Sequence, residues 1–319
     1  MAGNDHQSVD MARRVFREGA LSIGLSLPLL KQGQTVIDVR EQLELAGLAD
    51  RLGFRALWVR DVPLNSADYP DPVGHLDPWA LLGALATQTE RIALATGAIV
   101  LTLRHPLHIA KAAASIDALS EGRLVLGLGS GDRPAEYAAF GKNTDARRDL
   151  FQRNWEIVSA ALGHPSHIVP DLAAPDAPEF LLLPAIRSDI PLVAVGSGSQ
   201  SVNWIARHAL GWMTYHREPD AQKARYAMWR DAVTRDAAGA FRAFGVTVKL
   251  DLSADPDEPA TVIPLGYRVG RRGLVDLLKG MRDGGTHHVS FGLSAPARSL
   301  RDVVAELGSE VLPLFHRET

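Results

Sequence analysis

Four short segments, each following an apolar β-branched run, hold the residues with which this chain could do chemistry. The first is Gly129-Ser130-Gly131, inside GLGSGD. A glycine-rich turn after a strand lets backbone N–H groups approach an anion without Cβ obstruction. Its G-x-G-x-G spacing, deep in the chain, is not the G-x-G-x-x-G that opens a dinucleotide-binding helix, so a plain tight turn stands beside the ligand reading. The second is Gly196-Ser197-Gly198-Ser199-Gln200-Ser201, after PLVAV and before a helical stretch. Free N–H groups and small hydroxyls at a helix start suit a phosphate or another dianion. Capping of the helix by Ser199 is the simpler alternative, yet two glycines and three serines exceed what a cap needs.

Gly97-Ala98 interrupts an otherwise uniform strand over 92–100. A glycine there marks a bulge, a close ligand approach or a packing accommodation. Arg60-Asp61 ends the apolar run over 56–59, and a charged pair at that place is either an active-face pair or an ordinary salt bridge. Arg104-His105, with His108 three residues on, raises a metal reading, but no Asp, Glu or Cys cluster completes a ligand set. Pro106 points to helix initiation instead. His287 and His288 are adjacent on a strand, so their rings face opposite sides. Serine-hydrolase, NTPase and zincin motifs are not found in the sequence.

The elements that must position these residues alternate. Strands are expected over 21–28, 55–61, 92–100, 123–128, 191–195, 211–216, 245–252 and 287–293. Helices are expected over 38–52, 77–89, 105–118, 146–161, 200–209, 220–237 and 271–282, with others from Pro134 and Ser299. Asp77-Pro78 is an N-cap followed by proline at the first helical position, and Gly53 is a good helix terminator. Eight β/α alternations without a mid-chain linker predict one (β/α)₈ TIM barrel over 1–319. Residues 1–20 read as an N-terminal extension. The Pro-, Ala- and Asp-rich stretch 163–189 reads as an excursion after strand 4, an insertion or lid.

Composition narrows the classes. The 319 residues are 46% hydrophobic and 22% charged, as in ordinary globular proteins. A net charge of −3 leaves no basic footprint for nucleic acid or an anionic membrane. With no cysteine there is no thiolate metal site, iron–sulfur cluster or catalytic thiol. No apolar run reaches membrane-spanning length and the N-terminal residues lack a secretory core, so a cytoplasmic location is expected.

These residues resemble the bacterial luciferase-like flavin oxidoreductase superfamily. The family's middle signature runs from a third-strand glycine or alanine pair through R-H-P, A-K and D-x-L-S-x-G-R to a G-x-G-x-G-type turn. Here Gly97-Ala98, Arg104-His105-Pro106, Ala110-Lys111, the run from Asp117 to Arg123 and the turn from Gly127 to Gly131 appear in that order. The segments WVRDVPL, LRHPLH, SGDRP, QSVNWIA and GW are closest to a short luciferase-type oxidoreductase subgroup, and the likeness covers about residues 20–300.

The resemblance implies a barrel binding reduced FMN supplied by a flavin reductase, or a deazaflavin coenzyme as in sister groups. Gly97–Ala98 would form a non-prolyl cis peptide against the flavin ring. Gly129, Ser130 and Gly131 would line the flavin, and the six residues from Gly196 to Ser201 would hold its phosphate. The implied reaction is oxygen activation and insertion into a small organic substrate, a monooxygenase of the EC 1.14 class. Hydride transfer to or from a deazaflavin and a non-catalytic flavin-binding subunit are the alternatives, with a flavin-free barrel aldolase or isomerase further off. Many relatives carry a histidine just after the second strand. Val62 follows Arg60-Asp61 here, which leaves Arg60, Asp61 and His105 as polar candidates. Arg60 would steer an anion or flavin oxygen, Asp61 would orient Arg60, and His105 would donate a proton. A homodimer is compatible with apolar outer helices.

Overall fold

The computed structural model describes residues 11–31, 33–71, 73–163, 182–184, 186, 189–293 and 298–316. The elements in chain order are α1 (Met11–Val15), β1 (Ser22–Ser26), α2 (Val39–Leu52), β2 (Ala56–Val59), α3 (Pro78–Gln88), β3 (Ala93–Thr96), β4 (Ile99–Val100) and α4 (Pro106–Leu119). Next come β5 (Leu124–Gly129), α5 (Pro134–Ala139), α6 (Arg147–Gly163), β6 (Leu192–Val195), α7 (Val202–His208), β7 (Gly211–Tyr215) and α8 (Pro219–Asp236). The chain closes with β8 (Ala243–Leu252), β9 (Thr261–Ile263), β10 (Gly266–Val269), α9 (Arg271–Asp283), β11 (His288–Leu293) and α10 (Leu300–Glu306).

Eight strands pair in parallel in the cyclic order β1-β2-β3-β5-β6-β7-β8-β11, and β11 returns to β1. This is the expected TIM barrel. Local chemistry sets the helix ends as the sequence predicts. Asp38 and Asp77 cap α2 and α3 through their carboxylates, and Gly53 ends α2 at φ 89°. Most of the 163–189 excursion lies outside the described residues.

Two strands were not expected. β9 and β10 form an antiparallel hairpin, and β10 pairs in parallel with β8 outside the barrel ring. The turn-rich composition of 255–261 hides them, and Thr261 and Val262 are exposed, so no apolar alternation marks β9.

The barrel interior is lined by small residues, among them Ala56, Ala93, Ala95, Val125 and Ala243, with Met213. Met11, Val15 and Phe16 pack onto that interior from the N-terminal end, so part of the expected extension belongs to the barrel core. Trp58 fills the axis, and its Nε1–H donates to Nε2 of His288 at 2.8 Å. That bond places the histidine proton on Nδ1, which donates to Ser22 Oγ at 2.6 Å; the Ser22 hydroxyl in turn donates to the Val15 carbonyl at 2.5 Å. Every polar atom of this buried chain is satisfied only with a neutral imidazole. Burial accordingly pushes the His288 pKa down to about 3, with His316 adding to the shift. Gly24 makes room for the ring, because a Cβ there would lie 2.6 Å from Ala56 O and 3.0 Å from His288 Cε1. His287 faces the opposite side, accepting from Phe244 N–H at 3.0 Å.

Candidate functional site

At the C-terminal end of the barrel, β3 leaves its partner and rejoins it as β4. Ala95 stands opposite Val125, and Ile99 opposite Leu128. Four steps along one strand against three along the other make a one-residue bulge at Gly97-Ala98. The Gly97–Ala98 peptide is cis. Thr96 secures the departure: its Oγ1 donates to Gly127 O at 2.7 Å and accepts from Gly127 N–H at 2.8 Å. Gly127 must be glycine there, since a Cβ would fall 1.9 Å from Thr96 O. On the β2 side, Gly97 N–H donates to Val59 O at 2.7 Å.

The backbone packs closely around the bulge, with little room for a Cβ on its glycines. A Cβ on Gly97 would lie 3.2 Å from Trp58 Cε3, and one on Gly129 would lie 3.0 Å from the Ala98 methyl. The Ser130 carbonyl is drawn back by Thr102 Oγ1 at 2.7 Å and by the Tyr137 hydroxyl at 2.5 Å. Its own Oγ lies 3.4 Å from Ser199 Oγ, which brings the two glycine-rich turns together.

The second turn is held from behind. Trp212 Nε1–H donates to Gly196 O at 2.6 Å, and Gln200 Nε2 donates to Gly198 O at 3.2 Å and Arg148 O at 2.9 Å. Gln152 donates to Gln200 Oε1 at 2.6 Å. Gly198, at φ 55°, presses on Phe151, whose Cζ would be 2.9 Å from an added Cβ. Ser201, not Ser199, caps α7 through its hydroxyl to Trp204 N–H at 3.2 Å. Ser199 instead takes a left-handed conformation at φ 58° within the turn. The N–H groups of Ser197 and Gly198 meet no acceptor among the described residues.

Arg60 and Asp61 do not pair with each other. Adjacent residues at a strand end point to opposite sides. Asp61 is buried; it receives Arg104 Nε and Nη2 at 2.9 and 2.8 Å, and also the Val100 N–H at 3.1 Å. The expected Asp61 orientation of Arg60 is therefore corrected: Asp61 orients Arg104 and anchors β4 just beyond the bulge. Hydrogen bonding to Asp61, against opposing burial, pushes the Arg104 pKa up. Arg104 also reaches Asp77 Oδ2 at 2.9 Å, joining the bulge to the start of α3.

Arg60 turns to Asp71, 3.0 Å away, and lies 3.4 Å from His75 Nε2. Arg133 meets the same Asp71 oxygen at 3.3 Å. Burial pushes the Asp71 carboxyl up, but Arg60, His75, the Val73 N–H and Arg133 together hold it below the usual range. Burial and Arg60 push the His75 pKa down. Tyr69 donates to Asp132 at 2.9 Å, and Arg133 stacks 4.8 Å above its ring. The loop after β2 and the turn after β5 are thus stitched into one wall. Sequence reading missed Arg133 and Asp71, which stand 62 positions apart.

His105 is exposed and begins α4, where its Nδ1 accepts from Leu107 N–H at 3.3 Å. Its ring centroid is 5.8 Å from that of His108. Among the described residues no group of three or more His, Cys, Asp or Glu side chains is placed to hold a metal.

A family model described as luciferase-like monooxygenase matches residues 23–262, three quarters of the chain, and spans the bulge and both glycine turns. The chain belongs to the luciferase-like monooxygenase family. Within it, an uncharacterised protein of Mycobacterium tuberculosis is 30% identical over 257 residues, covering 75% of this chain and 86% of the relative. An F420-dependent hydroxymycolic acid dehydrogenase of the same organism is 29% identical over 202 residues, 60% of this chain and 54% of that one. The fold is shared with the solved monooxygenase RslO1 of Streptomyces bottropensis, at TM-score 0.72 and 18% identity over 92% of this chain and 99% of that one. Luciferase-like proteins are oxidoreductases, and the family holds both deazaflavin- and flavin-dependent members.

Proposed function

We propose that this luciferase-like protein is a monooxygenase that uses reduced FMN, delivered by a partner reductase, and oxygen to oxidise a small organic substrate. The observation that carries the reading is the half-buried Gly97-Ala98 bulge, backed by Gly129, beside a turn with unspent N–H groups. A flat ring system needs a surface without side chains, and an anionic tail needs donors at its edge. The residues present fit both requirements. The bulge would support the ring, and Ser197, Gly198 and Ser199 would bind the phosphate, with Arg147 close by at the mouth of the Gly131 turn.

A bound reduced flavin supplies the electrons for oxygen activation, and the protein's part is placement and water exclusion. Thr96 and Asp61 hold the bulge in place, one on either side. Arg60 stands on the wall of the site with its guanidinium about two-fifths exposed, suited to attracting an anionic substrate. Asp71 and His75 set its direction. His105 would serve as a proton donor at the outer edge, where solvent can resupply it.

A second reading, hydride transfer with a deazaflavin, is favoured by the F420-dependent relative. Both are tested by anaerobic titration with reduced FMN and, in parallel, reduced deazaflavin, followed by admission of oxygen. Tight FMN binding and a transient oxygenated-flavin absorbance are expected. Preference for deazaflavin without an adduct would establish the second reading, and binding of neither would refute both.

A further inference from the structure

The opposite end of the barrel carries a cationic cavity that the catalytic reading does not use. It has a volume of about 370 Å³, and Arg13, Arg14, Arg17, Arg55, Ser22 and His316 are among its lining residues. Its arginines come from two places. Arg13, Arg14 and Arg17 belong to α1 and the residues just after it. Arg55 stands at the entry to β2, as Arg91 and Arg123 do at the entries to β3 and β5.

Asp50, the carboxylate whose field reaches Arg14, is already committed. The carboxylate of Asp50 accepts the N–H groups of Glu90, Arg91 and Ile92 at 2.8, 3.0 and 2.7 Å. Arg123 is buried, and its guanidinium donates to Ala86 O, Thr89 O, Thr89 Oγ1, Ile92 O and Ser120 O. None of those five acceptors carries charge. Arg91 donates to the Asp50 and Arg51 carbonyls. No carboxylate of the described residues forms an ion pair with Arg14. Burial and the field of Arg55, Arg91 and Arg123 push its pKa down, against the pull of Asp50. Arg13, Arg17 and Arg55 have interactions of their own, so the case rests on Arg14 and on the shape of the cavity. His316 contributes no charge: its Nε2 accepts from Ile23 N–H at 2.9 Å and its Nδ1–H donates to Gly53 O at 3.0 Å, the pattern of a neutral ring.

We propose that this N-terminal mouth of the barrel binds a small multivalent oxyanion of the phosphate-ester class, with Arg14 as its central ligand and Arg13, Arg17 and Arg55 around it. A cavity of that volume admits a small metabolite. Guanidinium forks match phosphate oxygens in geometry as well as charge. An anion at this place would relieve the like-charge crowding around Arg14 and would tie α1 to the entries of the barrel strands.

The test is calorimetric titration of inorganic pyrophosphate into the full-length protein at low ionic strength, repeated with Arg14→Gln. One site per chain is expected, weakened about tenfold or more in the variant, which is the loss of one charge-assisted contact. A rise in melting temperature with pyrophosphate is expected to shrink in parallel. Arg17→Gln, at an exposed position, is expected to weaken binding by a smaller factor and serves if Arg14→Gln does not fold. Equal binding by wild type and variant would put the anion elsewhere, at the turn from Gly196 to Ser201 above all, and would overturn the proposal. No binding at low ionic strength would overturn it as well, leaving the arginines as supports of the barrel floor.

Discussion

Lowering the pH should destabilise this protein through His288, by an amount set by how far burial holds its pKa down. The imidazole is fully buried with a pKa of about 3, against about 6.5 in an unfolded chain. The unfolded state therefore binds the proton first. The stabilisation is complete above pH 6.5 and is lost as pH falls toward 3, with a slope of about 1.4 kcal/mol per unit. At pH 5 the loss from this group alone is about 2 kcal/mol, a large fraction of the ~5–15 kcal/mol that holds a domain folded. Urea unfolding of wild type and His288→Gln at half-unit steps from pH 8 to 5 isolates it. Glutamine can accept from Trp58 and donate to Ser22, but it does not titrate. The variant should be less stable at pH 8 and lose less on acidification, its slope shallower by about one proton. His316, pushed down to about 4, and the other buried histidines contribute to both proteins and cancel in the difference. Identical slopes would refute the argument that His288 is held neutral by the Trp58 and Ser22 bonds.

Other substitutions separate the parts of the site. Gly198→Ala, which sets a Cβ 2.9 Å from Phe151 at a positive φ, should weaken cofactor binding at least about tenfold by flavin titration while the circular dichroism spectrum stays unchanged. Asp61→Asn strips Arg104 of its buried partner, so the urea midpoint should fall by the equivalent of about 2–3 kcal/mol. Arg60→Ala should change stability by less than about 1 kcal/mol yet reduce kcat/KM for an anionic substrate. Unchanged flavin affinity and turnover would show that Arg60 has no part in the reaction. His105→Gln should leave cofactor affinity intact, with any loss confined to the acid or base limb of the rate profile; a lost flavin site would contradict its placement at the outer edge of the barrel.

Much of this was legible in the sequence because the relevant signals are local. Period-two and helical apolar patterns separated by prolines and glycines give the strand order, and Gly97 announces the bulge from within a single strand. The partnerships were not legible. Arg104 stands 43 positions from Asp61, and only the return of the chain as β4 after the bulge brings them together. The Arg60-Asp61 dipeptide looks like a pair in one dimension and is divided by strand geometry in three. The His287-His288 dipeptide was read correctly for the same reason. The β9–β10 hairpin escaped because one of its strands is largely exposed and carries no apolar alternation.

The fate of α1 shows what a reading from the chain end inward can miss. Residues 11–16 look dispensable beside a barrel whose first strand begins at Ser22, and trimming a protein to its first strand is a common way to obtain crystals or a minimal catalytic unit. Here that cut would uncork the barrel. It would remove Met11, Val15 and Phe16 from a lumen lined by alanines and admit water onto the axis. It would also take away the carbonyl on which the Ser22–His288–Trp58 chain ends. Trp58 lies directly under Gly97, so a deletion made at one end of the molecule would be felt at the β3–β4 bulge at the other.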